Sequence, residues 1–197
     1  TDISAVVWSP GSVIIPTGGC DGNIVLIDVE AQSVIQQLCR HSGCITGLAF
    51  SSDGRQLWSV DSTGRLRVWN LETYSVLLAR DNLHNGSIIT LTGTNGSRYA
   101  TIGADGRLRI WSVVANSLQT LVEYNVPNIP ITVSSWNSED STLLTGDAMG
   151  HIRIWNNPFA ADSNREFTQL PNPVRALAVN PAGDYMAAID LDGCLTL

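Results

Sequence analysis

The sequence predicts an all-β protein built from consecutive four-stranded antiparallel sheets of nearly equal length. Two sets of anchor residues recur through the 197 residues. Glycines that open short apolar strands lie 42, 42, 44 and 43 residues apart, at Gly22, Gly64, Gly106, Gly150 and Gly193. β-branched residues that open a second kind of strand lie 42, 43, 43 and 43 residues apart, at Ile3, Ile45, Ile88, Ile131 and Val174. Because both sets stay in phase, the chain is a structural repeat with the period of a β-propeller blade.

The second repeat shows the elements of one period most clearly. Its apolar or alternating runs cover residues 44–51, 56–60, 65–71 and 75–79, and none has a helical period. Asp53 and Gly54 predict the first turn, and Ser62, Thr63 and Gly64 predict the second. Stacking such sheets around an axis covers both faces of each sheet. We therefore expect one partial β-propeller over residues 1–197, with repeats at 3–44, 45–87, 88–130, 131–173 and 174–197.

The chain length does not correspond to a whole number of blades. The period gives about four and a half four-stranded blades. The offset of five residues from Gly64 to Trp69 places the fifth signature residue at position 198, one beyond Leu197, and Thr1 leads directly into an innermost strand. We expect part of a larger propeller, with the remaining blades supplied by the same or another chain. Its open ends should expose unpaired edges and apolar faces.

The ends of the third strands carry a recurrent residue pair. These pairs are Ile27-Asp28, Trp69-Asn70, Trp111-Ser112 and Trp155-Asn156. The pattern resembles the WD-repeat family, whose repeats end in Trp-Asp, and the resemblance covers essentially the whole chain. It implies a WD-type β-propeller, usually seven-bladed, that binds other proteins through loops at the ends of its blades.

The same resemblance implies a structural tetrad of His, Ser or Thr, Asp and Trp side chains within a blade. The third repeat matches all four positions, with His84, Thr101, Asp105 and Trp111. The second repeat has His41, Ser59 and Trp69 but Thr63 at the Asp position, and the fourth has Thr145 and Trp155 but Met149 there. The expectation is one complete hydrogen-bonded network, which satisfies buried polar groups inside its blade.

Two enzymatic interpretations compete with this structural one. His84, Thr101 and Asp105 have the side chains of a hydrolase triad, although no Gly-x-Ser-x-Gly elbow accompanies them. Asp61, Asp147, Asp190 and Asp192 recur near turns and could form paired acids, as in propeller glycosidases, but Asp is common in turns. The sequence contains no phosphate-binding glycine loop and no cluster of metal ligands. We therefore expect no catalytic residue, no cofactor and no metal.

Charge and composition restrict the classes of partner. The formal net charge is -7 and the isoelectric point is near 4.7, so the average field repels nucleic acids and anionic membranes. No segment approaches the roughly 18 apolar residues that a membrane helix needs. These features favour other proteins as partners, with no membrane contact and no nucleic acid.

The cysteines are Cys20, Cys39, Cys44 and Cys194, and they form no CxxC pair. No His accompanies them at metal-ligand spacing. The pattern predicts free, buried thiols, with Cys39 and Cys44 close enough to flank one loop. No other feature indicates an oxidising compartment, so we expect a cytoplasmic or nuclear protein.

Arginines occupy the same position of three consecutive third strands, at Arg67, Arg109 and Arg153. Each lies two residues before the strand's Trp, so both side chains share one face. We expect their aliphatic stems to pack between blades and their guanidinium groups to reach polar partners at the rim. The alternative is an exposed basic ladder that binds a ligand.

The partner surface is predicted from the topology of the meander. The loop that enters each blade and the turn between its second and third strands should lie at the same end of the blade. Residues on these segments vary between repeats, as expected of a contact surface on a repeat protein. The candidate contacts are Ser42, Cys44, Asp61, Ser62, Asn85, Ser87, Ala104, Asn128, Pro130, Asp147 and Asn172, with Pro173 and Leu191 beside them. Ordinary solvated turns are the alternative for any single residue.

These observations favour a non-catalytic scaffold for protein–protein interactions within a multi-protein complex. The stretch around Gly146 and the later stretch beginning at Asn180 are similar to the small propeller subunit of TOR kinase complexes. That subunit and a propeller-type hydrolase remain the alternatives.

Overall fold

The computed structural model describes residues 2–11, 13–93, 98–114, 117–126, 130–137, 142–156, 158, 164–180 and 184–196. These residues form nineteen strands and no helix. Consequently, the described part of the chain contains no helix that could span a membrane. The strands make five antiparallel sheets, four of four strands and one of three. We number these sheets blades 1 to 5 in chain order.

Each blade is a meander of sequential strands. Blade 1 contains β1 (Ile3–Val6), β2 (Ile14–Gly19), β3 (Asn23–Asp28) and β4 (Ser33–Cys39). Blade 2 contains β5 (Ile45–Phe50), β6 (Gln56–Asp61), β7 (Leu66–Asn70) and β8 (Val76–Arg80). Blade 3 contains β9 (Ile88–Gly93), β10 (Arg98–Gly103), β11 (Arg107–Val114) and β12 (Ser117–Asn125). Blade 4 contains β13 (Ile131–Trp136), β14 (Thr142–Asp147), β15 (His151–Asn156) and β16 (Asn164–Gln169). Blade 5 contains β17 (Val174–Val179), β18 (Met186–Asp190) and β19 (Leu195–Thr196).

The anchor residues of the repeat define the boundaries of these elements. β5, β9, β13 and β17 begin at the β-branched residues that open the repeats. The repeated glycine lies in the turn before the third strand, where Gly64 has a φ of 83°. Residues other than Gly rarely adopt this backbone conformation, and a Cβ at Gly64 would also lie 2.5 Å from the carbonyl oxygen of His84. The recurring glycine therefore marks a tight turn that packs against the loop leading into the next blade.

The hydrophobic core lies between neighbouring blades. One cluster joins Trp58 of blade 2 to Tyr99 of blade 3, and the rings stack with centroids 3.6 Å apart. Another joins Ile102 of blade 3 to Ile131 and Trp136 of blade 4. Similar clusters connect blade 1 to blade 2 and blade 4 to blade 5. Burial of these apolar faces, at about 25 cal/mol per Å², is the main stabilising interaction of the stack.

The two ends of the stack expose apolar side chains. Trp8 is 57% exposed, whereas Phe50 and Trp136, at the same position of blades 2 and 4, are 9% and 7% exposed. Leu191 and Leu195 of blade 5 are 57% and 58% exposed. Among the described residues, blades 1 and 5 share no core cluster. The described strands thus form an open partial propeller, as the sequence predicts.

The prediction for the cysteines was wrong. Cys20 and Cys44 form a disulfide, while Cys39 and Cys194 are free and exposed rather than buried. Cys20 lies in the turn between β2 and β3, and Cys44 lies in the loop that enters blade 2. The linear spacing of cysteines cannot reveal this pairing, because stacking of successive blades creates the proximity.

A candidate protein-interaction face and its buried networks

The loops and turns predicted to form one face do meet at one end of the blades. In four blades, the amide of a turn residue donates to the carbonyl oxygen of the loop that enters the same blade. These pairs are Ser62 to Cys44 at 2.9 Å, Ala104 to Ser87 at 2.8 Å, Ala148 to Pro130 at 3.0 Å and Leu191 to Pro173 at 3.0 Å. We call the surface formed by these loops and turns the loop face.

The predicted contact residues differ in their exposure on the loop face. Ser42, Asn85, Ala104 and Pro130 are exposed. The half-buried members are Cys44, Ser62, Ser87, Asn172 and Pro173. Asn128 lies outside the described residues. The surface thus consists of the exposed members together with the accessible parts of the half-buried ones.

Sequence reasoning missed Met149, which is 57% exposed on this face. The tetrad pattern identifies it only as the residue at the Asp position. The period alone could have identified it, because it occupies the turn position of Thr63, which is also exposed.

Two predicted contacts, Asp61 and Asp147, are corrected by the structure, because both are fully buried. Asp61 Oδ1 accepts the amides of Thr63 at 2.9 Å and Arg65 at 3.0 Å. Asp147 Oδ1 accepts the corresponding amides of its own turn at 2.9 and 3.0 Å. Asp190 does the same in blade 5, at 3.1 and 2.9 Å. These buried carboxylates each order one turn, so they are not surface contacts.

The predicted tetrad of blade 3 forms a continuous hydrogen-bonded chain. Trp111 Nε1 donates to Thr101 Oγ1 at 2.8 Å. The Thr101 hydroxyl lies 2.8 Å from His84 Nε2, and His84 Nδ1 lies 2.9 Å from Asp105 Oδ1. A carboxylate only accepts, so Nδ1 carries the proton and the Thr101 hydroxyl donates to Nε2. Every polar group of this network is therefore used inside the blade.

Blade 2 contains a second complete network, which the sequence analysis did not expect. Trp69 Nε1 donates to Ser59 Oγ at 2.8 Å, and Ser59 Oγ lies 2.7 Å from His41 Nε2. His41 Nδ1 lies 2.8 Å from Oδ2 of Asp61, not from Thr63. The carboxylate comes from the last residue of β6, two positions before the expected site, and the Thr63 hydroxyl binds Asp61 Oδ1 at 2.8 Å. A motif with a fixed spacing could not identify it.

The two carboxylates remain ionised under ordinary conditions. Burial raises the pKa of Asp61, but hydrogen bonds from His41, Thr63 and Arg65 outweigh burial and hold that pKa well below its ordinary value. Burial also opposes ionisation of Asp105, whose pKa is nevertheless lowered by hydrogen bonds, first from His84. Burial lowers the pKa of His84 despite that same bond, so neutral imidazole is favoured.

In blade 4 the buried carboxylate pairs with Arg153 and with His151, whose Nδ1 lies 3.2 Å from Asp147 Oδ1, and neither links it to the Trp–Thr pair. Trp155 Nε1 donates to Thr145 Oγ1 at 3.0 Å, as in the other blades. Arg153 NH1 then donates to Asp147 Oδ2 at 2.9 Å. The buried Asp147 therefore has a cationic partner without a histidine link to the Trp–Thr pair.

The three repeated arginines follow the packing prediction. The side chains of Arg67, Arg109 and Arg153 are 10%, 14% and 16% exposed. Arg67 binds Asp81 Oδ1 at 2.7 Å, and Arg109 binds Glu123 Oε2 at 2.6 Å. Their guanidinium groups are thus paired at the rim, and they form no exposed basic ladder.

The loop face contains a groove at the border of two blades. This groove of about 680 Å³ lies between blades 2 and 3, lined by Thr63, Asn82, Asn85, Asp105 and Arg107 among others. In the described residues, no group of three His, Cys, Asp or Glu side chains could hold a metal ion.

Comparison with known proteins finds one family-model match and several distant relatives. Residues 32–70, which end with β7, match the family model for the WD domain, G-beta repeat. Periodic tryptophan protein 2 of Arabidopsis thaliana is 21% identical over 194 residues, which are 98% of this chain and 21% of that protein. Target of rapamycin complex subunit wat1 of Schizosaccharomyces pombe is 27% identical over 132 residues, which are 66% of this chain and 40% of that protein.

A solved structure shares the fold. The Cps50 (Swd1) β-propeller domain of Myceliophteria thermophila aligns with a TM-score of 0.80 and 16% identity, covering 95% of this chain and 62% of that chain. The present chain therefore spans less than two thirds of this domain and of the two relatives described above. Its repeat period, its Trp-anchored networks and this alignment show a β-propeller fold, and the match at residues 32–70 makes the chain similar to WD-repeat proteins.

Proposed function

We propose that this chain is a non-catalytic protein-interaction scaffold of a multi-protein complex and that it binds partners through the loop face. One observation carries the proposal. The same backbone hydrogen bond between turn and loop recurs in four blades, while the side chains around it change from blade to blade. A rigid frame with variable surface residues is the property expected of a recognition surface.

The proposal is tested with substitutions that add charge to exposed loop-face residues. Asn85, Ala104 and Met149 are exposed, and their side chains are not part of the buried networks. We expect the triple variant Asn85→Arg, Ala104→Arg and Met149→Arg to lose most partner proteins in affinity capture from cells. Thermal unfolding should change little, because exposed positions usually alter stability by about 0.5 kcal/mol or less.

A matched control adds the same charge away from the loop face. Gln36, Gln37 and Gln119 are exposed on the outer strands β4 and β12. The variant with Arg at all three positions should retain the partners. Equal capture by both folded triple variants would contradict the proposal.

The partners we propose include further propeller blades from the same or another chain. The exposed apolar residues of blades 1 and 5, including Trp8 and Leu195, support this proposal. The acidic net charge of -7 supports protein partners over nucleic acids.

We propose a cytoplasmic or nuclear location, which fractionation of cells expressing the tagged chain would test.

A narrower candidate is a propeller subunit of a target of rapamycin complex, which the similarity to wat1 favours. Co-purification of a target of rapamycin kinase with the tagged chain would support it. Recovery of that kinase no higher than the background level would exclude it.

A hydrolase is the less favoured alternative. The His84 side chain is fully buried and that of Asp105 is only 11% exposed, so a substrate has little access to them.

A further inference from the structure

The disulfide between Cys20 and Cys44 joins blade 1 to blade 2 at the loop face. Cys20 directly follows β2, and Cys44 directly precedes β5. We propose that this bond is a reversible redox staple that fixes blade 1 against blade 2. The proposal concerns the border between the two blades and does not depend on a partner.

The other blade borders have different side chains at the equivalent positions. The backbone bonds of the loop face align Cys20 with Ser62, Ala104 and Ala148, and they align Cys44 with Ser87, Pro130 and Pro173. None of the pairs in later blades can form a disulfide. The first border is therefore the one place in the sequence where this recurrent contact carries two thiols.

Blade 1 also lacks the tetrad that orders the turns of blades 2 and 3. Ile27 stands at the Trp position, and the Thr17 hydroxyl donates to the carbonyl oxygen of Val25 at 3.4 Å. The turn amide of Cys20 makes only a 3.4 Å bond to Asp2. Across the border, Ser4 Oγ donates to the Ile45 carbonyl oxygen at 2.6 Å. Because Ile27 cannot donate as the Trp does in blades 2 and 3, the covalent bond supplies order at this turn that the tetrad supplies there.

The two cysteines differ in how firmly they are held and in how exposed they are. Cys44 is held on the blade 2 side, because its amide donates to Ser62 Oγ at 3.0 Å and its carbonyl oxygen accepts from the Ser62 amide at 2.9 Å. Cys20 is exposed, so small thiols and disulfides can reach it. Breaking the bond would therefore free the blade 1 turn, while Cys44 stays attached to blade 2.

The chemistry is thiol–disulfide exchange with a small-molecule disulfide as oxidant. The Cys20 thiolate attacks one sulfur of that disulfide, and the first small thiolate leaves. The Cys44 thiolate then attacks the Cys20 sulfur of the mixed disulfide, and the second small thiolate leaves. Two protein thiols are oxidised, and one small disulfide is reduced to two thiols. An excess of the small thiol reverses both steps.

Disulfide mapping in glutathione buffers tests whether the bond is reversible. Trypsin cuts after Arg40 and Arg55, so the bond links fragment 1–40 to fragment 41–55. Both Cys20 and Cys39 lie in the first fragment, and Cys39→Ser should keep the linked product whereas Cys20→Ser should lose it. We expect the product in excess oxidised glutathione and its loss in excess reduced glutathione. A product that persists under reduction, or never forms, would overturn the proposal.

Amide hydrogen exchange tests whether the bond is a staple. In the reduced wild-type chain, exchange in β2 and β3 should be at least about tenfold faster than in the oxidised chain, with β10 and β11 unchanged. Cys20→Ser should behave like the reduced chain in both buffers, and Cys39→Ser should behave like the wild type. If Cys20→Ser does not fold, the wild-type comparison still decides the question. Equal exchange in the oxidised and reduced wild type would refute the staple.

Discussion

Blades 2 and 3 contain the same hydrogen-bonded network but take its carboxylate from different positions. In blade 3, Asp105 reaches His84 from the turn, whereas in blade 2, Asp61 reaches His41 from the end of a strand. Gly103 occupies the strand-end position in blade 3, and a Cβ there would lie 2.2 Å from His84 Nδ1. An Asp in the turn, as in blade 3, therefore goes with a Gly at the strand end, whereas in blade 2 the strand-end residue is itself the Asp. Either arrangement brings one carboxylate to the imidazole.

The largest expected effect is removal of the two carboxylates. Asp61→Ala should lower the free energy of unfolding by about 3 kcal/mol, because His41 and the amides of Thr63 and Arg65 lose a buried acceptor. Asp105→Ala should cost less, about 2 kcal/mol, because this side chain is 11% exposed and water can replace part of its bonding. Urea unfolding of both variants measures the difference. A larger loss in Asp105→Ala would contradict the comparison.

The second effect tests the strand-end position. Gly103→Ala should destabilise the chain by about 2 kcal/mol, because its Cβ collides with His84. Gly11→Ala is the matched control, since a Cβ at Gly11 meets nothing within 4 Å. In a chain that already carries His84→Ala, Gly103→Ala should lower the free energy of unfolding by less than it does in the wild type. A cost that is unchanged in this double-mutant cycle would show that the collision is not with the imidazole.

The third effect should be equal in the two blades. Trp69→Phe and Trp111→Phe each remove an indole donor to the network hydroxyl, and each should cost about 1 to 2 kcal/mol. Trp58→Phe is the control, because Trp58 Nε1 has no hydrogen-bond partner among the described residues. Thermal unfolding should rank the control as the least destabilised. If Trp58→Phe were the most damaging, volume rather than hydrogen bonding would dominate.

The smallest effect is the contribution of His84 to the pH dependence of the free energy of unfolding. Burial lowers its pKa from the ordinary value of 6.5, so the unfolded chain takes up this proton first as the pH falls. The contribution to stability is therefore present above that value and is lost as the pH decreases toward the folded pKa. The slope is at most about 1.4 kcal/mol per pH unit for one proton. His84→Gln should show a shallower loss of stability between pH 7 and 5 on the same titration, and an unchanged slope would exclude His84 as its source.

Much of the blade 3 network could be predicted from the sequence, because its four residues match a pattern of fixed spacing. The blade 2 network could be predicted only in part. The pattern identified His41, Ser59 and Trp69, but it assigned the carboxylate position to Thr63 and placed Asp61 on the partner surface. A side chain at a strand end and a side chain in the following turn can reach the same imidazole, and spacing does not distinguish them.

The sequence by itself determined the all-β class, the blade period and the turn glycines. These features depend on neighbours within about 10 residues, such as strand alternation and the positive φ of the turn. Only the tertiary structure decided the burial of Asp61 and Asp147, the exposure of Met149 and the pairing of Cys20 with Cys44. Each of these depends on groups brought together by the folded meander or by stacking of the next blade. The physical reason is that burial and bonding depend on distance in space, which the repeat pattern specifies only within its own period.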